Sequence, residues 1–237
     1  MRHEARLIRA AARGRSAWYK NKFMWLFIFL FVVIIYYPYS AGSSLHYYMY
    51  RALFCAVILF TIYALSMRRS LLLIALVWAA PLIVQHSVTF VDPRGPIIIT
   101  NSLFAFAFDV FIVVVLFRRV FSGAQADSEA IFAALCIYLF VGFGFTSVFL
   151  LVTDFHPKAF YLDPTVNNHP VLTRLDAMYY SFGTMTSLGA AGITPVSSEA
   201  RLLTIIEALL GVLFLAVLIS RLMSAYVGKS SGEKLEE

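Results

Sequence analysis

The sequence predicts an all-α membrane protein: six transmembrane helices, with a short re-entrant helix and loop between the fifth and the sixth. Three observations carry that prediction. The 237 residues are 61% hydrophobic and only 14% charged, far more apolar than an average soluble domain. Six stretches approach the roughly 20 apolar residues that a spanning helix needs. Between the last two lies DAMYYSFGTMTSLGAAGITP, from Asp176 to Pro195. That stretch is too short and too polar to cross, and irregular backbone at membrane depth is tolerated only where protein buries it or where it lines water.

The chain divides in order. Residues 1–22 form a basic segment with Arg2, Arg6, Arg9, Arg13, Arg15, Lys20 and Lys22. It is too long and uncleavable-looking for a secretory signal. Leu7, Ile8, Ala11 and Ala12 between its arginines suit either an interfacial helix on anionic lipid or a solvated arm that only sets topology. Residues 23–117 hold four spans: Phe23 to Tyr39, Tyr48 to Met67, Leu71 to Val88 and Pro96 to Phe117. A linker, 118–129, leads to the fifth span, Ala130 to Val152, and the sixth, Ala200 to Tyr226, within a unit of residues 130–226. A tail of residues 227–237 follows.

Orientation comes from charge. In a six-span layout the N-terminal cluster, Arg68 with Arg69, Arg118 with Arg119, and Arg221 with Lys229 all fall on one side of the membrane. The positive-inside rule makes that side cytoplasmic, termini included. On the other face Lys158 and Arg174 are accompanied by Asp154, Asp163 and Asp176, so the re-entrant segment enters from outside.

Several classes are excluded by what the residues do not offer. Cys55 and Cys136 both lie in apolar runs and give neither a disulfide framework nor a metal-ligand spacing. No triad, carboxylate pair, metal cluster or phosphate-cradling Gly loop is visible, so no enzyme is expected. The +6 charge is gathered in topology-setting clusters, which argues against nucleic-acid binding. Asp109 stands alone in the fourth span. A mid-span acid is costly; it pairs with Arg51 or His86, or serves as a neutral packing residue.

Thr173-x-x-Asp176 has the capping-box spacing, and Pro170 discourages earlier helix. A helix of about three turns from Arg174 or Leu175 to Thr186 follows. Asp176 then sits at its positive dipole end, while the opposite end aims partial negative charge inward, which favours a cation. Met178, Tyr179, Tyr180 and Phe182 are expected to pack on flanking spans.

From about Ser128 to Tyr226 the sequence resembles the pore domain of the bacterial ion-channel type within the potassium channel superfamily. The matching pieces are Ala130-Ile131-Phe132 and Tyr138-Leu139-Phe140, then Asp176 through Phe182, then Thr184-x-Thr186-Ser187-Leu188-Gly189, then Ile193-Thr194-Pro195. Ala200-Arg201, Glu207-Ala208-Leu209 and Leu215 through Ile219 complete them. The resemblance implies a homotetramer in the cell membrane, each subunit giving a pore helix and a filter loop whose carbonyls replace the hydration shell of potassium. It implies no cofactor, with monovalent cations as permeating ions, and itself and membrane lipids as partners.

The filter implied is Thr186, Ser187, Leu188, Gly189, Ala190, Ala191 and Gly192. The family reads Thr-Val-Gly-Tyr-Gly-Asp where this chain reads Ser187 to Gly192. Ser keeps a hydroxyl and Leu an apolar anchor, but Ala190 replaces the bracing Tyr and Ala191 the second Gly. A Cβ at a positive φ costs on the order of 1 kcal/mol or more; a register in which Gly192 supplies that flexibility is the alternative. Potassium preference is therefore expected to be weakened, or conduction lost, leaving a channel fold used as scaffold or signalling subunit. Glu207 is expected behind the filter, hydrogen-bonded to the loop backbone or near the pore-helix end. Gly211 matches the hinge position and equally suits close helix packing. Asp176, Glu207 and Gly211 form the pore-support set, with Ser220 and Arg221 at the lower mouth or the headgroups. Pro96 to Phe117 carries no Lys or Arg, so it cannot work as a charged voltage sensor.

Overall fold

The computed structural model of the chain describes residues 22–41, 44–65, 95–122 and 128–233. The expected third span, Leu71 to Val88, lies outside the described residues, as do His86 and the basic segment up to residue 21. Six α-helices and two short strands form within them.

Helix α1, Lys22–Tyr36, buries Phe23, Leu26, Leu30 and Val33, a three-four-three spacing that puts one stripe inward. It tightens into a 3-10 turn, Tyr37–Ala41, at Pro38, which has no N–H to continue an α-helix. Helix α2, Ser44–Leu65, buries Val57, Ile58, Thr61 and Ile62. Helix α3, Gly95–Ser122, begins with Pro96 in its first turn, where a missing N–H costs nothing. Its buried stripe is Phe108, Asp109, Ile112, Val115 and Leu116.

Helix α4, Ser128–Phe155, is the hub, in contact with α1, α3, the short helix after it and the last helix of the chain. Three of its polar side chains are satisfied within the helix. Thr146, Ser147 and Thr153 hydroxyls donate to the carbonyls of Gly142, Phe143 and Phe149, one turn back. That leaves no hydroxyl of these three unbonded in an apolar layer, which would cost roughly 1–3 kcal/mol.

Helix α5 spans Arg174–Met185 and α6 spans Ser198–Glu233. Strands β1, Phe160–Leu162, and β2, Ile193–Pro195, pair antiparallel with Leu162 opposite Ile193 and Phe160 opposite Pro195. Two boundaries differ from the sequence expectation. Helix α3 takes in residues 118–122 of the expected linker, and α6 runs on through the expected tail as far as Glu233. The Ser/Gly/Lys run holds no proline, and glycine costs a helix only about 1 kcal/mol.

Two cores result. One joins α1 to α4, with Leu26, Ile58, Ile112, Cys136 and Ile137 at its centre. The other lies around α5 and the strands, built on Phe149, Phe160, Leu172, Tyr180 and Ile193. In it Phe149, Phe160 and Tyr180 meet edge to face at 5.1 to 5.5 Å, the geometry aromatic quadrupoles favour. Among the described residues three helical segments are long and apolar enough to cross a membrane: Lys22–Tyr39, Glu129–Phe155 and Ser198–Arg221; α2 holds a shorter apolar stretch, Tyr48–Ala64. The chain is a helical membrane protein.

Candidate functional site

Helix α5 starts where the sequence placed it. Thr173 is the N-cap, in extended backbone, and the capping box closes in both directions. The Asp176 carboxylate accepts from the Thr173 N–H at 2.8 Å, and the Asp176 N–H donates to the Thr173 hydroxyl at 3.3 Å. Asp176 thus caps the helix, with a carboxylate on the positive dipole end. At the other end Thr186 is the C-cap, its N–H bonded to the Phe182 carbonyl, and its hydroxyl donates to the same oxygen at 2.7 Å.

The chain then turns back in seven residues. Ser187, Gly189 and Gly192 have φ of 57, 80 and 78° and are the positive-φ residues among those described. Ala190 and Ala191 do not enter that region, so neither Cβ is strained. The flexibility sits at Gly189 and Gly192, three positions apart with the two alanines between, and the second special position is Gly192 rather than Ala191.

Both ends of the loop are pinned. The Gly189 N–H donates to the Gly183 carbonyl at 3.0 Å, folding the loop onto α5. Gly183 permits this: a Cβ there would lie 2.7 Å from the Gly189 carbonyl oxygen. At the far end the Gly192 carbonyl accepts from the Asp163 N–H at 2.8 Å and from the Asn167 side chain at 2.9 Å. Asn167 also donates to the Asp163 carbonyl at 3.1 Å. The Asp163 carboxylate takes the Thr165 N–H and hydroxyl at 2.9 and 2.7 Å, and these bonds hold it below the usual carboxylate range. Strand β1 and the Val196 and Ser197 N–H bonds to the Ala159 carbonyl complete this clamp.

Expected side-chain roles divide. Tyr180 and Phe182 pack as foreseen, Phe182 against Phe143 at 5.6 Å. Met178 is buried among α1 to α4. Tyr179 does not pack: it is 45% exposed, and its hydroxyl accepts the Ala191 N–H at 3.2 Å. A tyrosine one turn up α5 therefore reaches the loop that lacks a tyrosine of its own. Leu188 is no anchor within the chain, being 81% exposed.

Behind the loop Glu207 is wholly buried and bonded to the Ser181 hydroxyl at 2.5 Å, a side chain of α5 rather than loop backbone. Ser181 also lies 2.8 Å from the Gly142 carbonyl. One hydroxyl proton cannot serve two acceptors, so both are satisfied when the Glu207 side brings a donor, as a carboxylic acid or an amide does. The three residues bolt α4, α5 and α6 together. Beside them the Tyr180 hydroxyl donates to Thr204 at 2.8 Å, since Thr204 itself donates to the Ala200 carbonyl.

Gly211 is a packing position: a Cβ would lie 2.5 Å from the Met185 carbonyl oxygen, so α6 crosses the end of α5 in near backbone contact. Sequence reasoning missed Gly183, Ser181, Asn167 and Tyr179. Gly183 alone carried a legible signal, a glycine inside a short helix that a better helix former would stabilise.

Helix α6 leaves its apolar surface open, with Leu202, Ile205, Leu209, Leu213 and Val217 exposed along one helical face. Asp109 is buried on α3, facing a cavity shared with Arg174, whereas the Arg51 side chain and His86 lie outside the described residues.

No curated protein and no solved structure matches the chain. Residues 148–227, from the second half of α4 through α5, the glycine loop and most of α6, match the family model described as ion channel, which supports an ion-channel rather than an enzymatic role for this membrane protein.

Proposed function

We propose that the chain is one subunit of a homotetrameric, potassium-channel-like cation channel of the cell membrane, with α5 as pore helix and residues 186–192 as filter. The observation that carries the reading is the double pinning of that loop, at Gly189 by the Gly183 carbonyl and at Gly192 by Asp163 and Asn167. A backbone held at both ends between two positive-φ glycines can present fixed carbonyls to an ion. The helix preceding it ends toward the same region, and its dipole favours a cation there.

Exposure supports assembly. One loop per chain cannot enclose a pore, and the bare apolar face of α6 with the projecting Leu188 suits burial against neighbouring copies. Both termini are cytoplasmic and the loop opens outward, on the charge pattern.

Selectivity for potassium is weakened in this reading. Ala190 offers no ring to pack behind the filter, and a hydroxyl from Tyr179 at the exposed Ala191 N–H is a weaker brace. Reversal potentials of purified protein in planar bilayers, under opposed potassium and sodium gradients, test it. A potential between the two Nernst values is expected. A strict potassium Nernst potential overturns the weakened filter, anion permeation overturns the cation pore, and absence of current from verified tetramers favours the non-conducting scaffold.

A further inference from the structure

The first half of the chain has a polar interior that the loop does not use. A cavity of about 80 Å³ lies among α1, α2, α3, α4 and the first turn of α5. Most of its wall is apolar, but Asp109 of α3 and Arg174 of α5 both line it, with the Tyr37 and Tyr50 side chains beside them. Asp109 is 8% exposed, and its carboxylate makes no hydrogen bond among the described residues. Arg174 is the charged group whose field reaches it.

These facts constrain one another. A carboxyl group this deep without a hydrogen bond is strongly disfavoured, and a guanidinium keeps its charge in any protein setting. The Thr61, Thr146 and Ser147 hydroxyls on the wall are spent on their own helices, so they do not solvate the acid. Apolar cavities stay dry, whereas polar ones of this size hold water at about 30 Å³ per molecule. The volume exceeds the roughly 10–15 Å³ that one water needs, and the wall offers Asp109 and Arg174 as its charged partners.

We propose that this cavity is a hydrated charge-pair site in which Asp109, through water, holds Arg174 and thereby fixes the outer end of α5 against the four-helix half. Asp109 is a positioning residue. It touches no permeating ion and acts through the first residue of the helix that carries the loop. The role gives the first half of the chain a physical link to the second, at Arg174 and at Met178 one turn on, which lines the same cavity.

A double-mutant cycle on the full chain tests the pair. Asp109→Asn and Arg174→Gln are each expected to lower the Tm of the purified protein by about 4 °C or more. The double variant is expected to lose clearly less than the two losses added, because an isolated buried charge is worse than none. Arg174→Lys, which keeps the charge, is expected to recover at least half of the Arg174→Gln loss. Additive losses, or no recovery by lysine, overturn the pair. Hydration has its own readout: the infrared carboxylate stretching band that vanishes in Asp109→Asn shifts within minutes of transfer to D2O if water reaches it. A band unshifted after hours overturns the hydrated site. The consequence for flux rests on the channel reading, but neither Tm nor the infrared band does. A parent that passes no current while the cycle remains coupled would sink the channel and leave the charge pair standing.

Discussion

Substitution of Gly183 by alanine should disturb the loop without touching any residue in it. A Cβ at Gly183 would sit 2.7 Å from the Gly189 carbonyl oxygen and 3.1 Å from its carbon, where ordinary contact begins near 3.4 Å. The loop must retreat by about 0.7 Å, and it cannot rotate away as a side chain would, because the obstacle is backbone. Overpacking of this kind costs roughly 1–3 kcal/mol, and stretching the Gly189 N–H bond adds up to about 1 kcal/mol. Alanine returns up to about 1 kcal/mol through helix propensity. A net cost of about 1–3 kcal/mol per subunit remains, concentrated on the carbonyl that an ion would meet. If only about half of the smaller figure appears as a difference in barrier between two cations, the potassium to sodium permeability ratio moves about twofold.

Two other glycines provide controls in the same assay. Gly142→Ala would meet the Phe182 ring at the same 2.7 Å, but a ring edge can turn aside. Gly144→Ala meets nothing closer than 3.7 Å. Bi-ionic reversal potentials should rank Gly183→Ala well above Gly142→Ala in effect, with Gly144→Ala at the parent value. Equal ratios for Gly183→Ala and Gly144→Ala would refute the claim that this contact sets the loop's geometry.

Further outcomes are expected elsewhere. Asn167→Ala removes two side-chain bonds, to Asp163 and to Gly192; a loss of about 1–2 kcal/mol in thermal unfolding is expected, with faster amide exchange across residues 190–193. Ser181→Ala strips the fully buried Glu207 of its hydrogen-bond partner and should cost about 1–3 kcal/mol, whereas Glu207→Gln keeps the length and a donor and should cost less; the reverse order in Tm would contradict the proton accounting. Asp163 has its carboxyl held below the usual value near 3.8 by Thr165, so its contribution is fully present above about pH 4 and is lost as pH falls through the lower folded value. The Tm difference between parent and Asp163→Asn should therefore shrink toward zero as pH drops below about 3.

Much of this was legible in one dimension. The Thr173-x-x-Asp176 spacing gave the start of α5 because a capping box is satisfied within four residues, and the helix ended at Met185 beside the expected Thr186. The buried stripe of α1, Phe23, Leu26, Leu30 and Val33, carried no such local mark, because every residue from Phe23 to Tyr37 is apolar. Strands β1 and β2 were not legible, since three residues carry no readable period and their pairing spans about thirty residues of chain. Tyr179 turned out exposed rather than packed, and of the two roles open to Gly211 the contact with Met185 favours close packing. Exposed aromatics and packed glycines look alike in sequence to buried ones and hinges.

The sequence alone determined that this chain lives in a membrane and that a short capped helix precedes a glycine loop, because hydrophobicity, caps and turn residues act over a few neighbours. Tertiary structure decided which glycine bears the second positive φ, that Gly183 and Asn167 hold the loop, that Glu207 bonds to Ser181, and that Asp109 shares a cavity with Arg174. Those are contacts between residues tens of positions apart, and no local rule of the backbone contains them until packing brings the helices together.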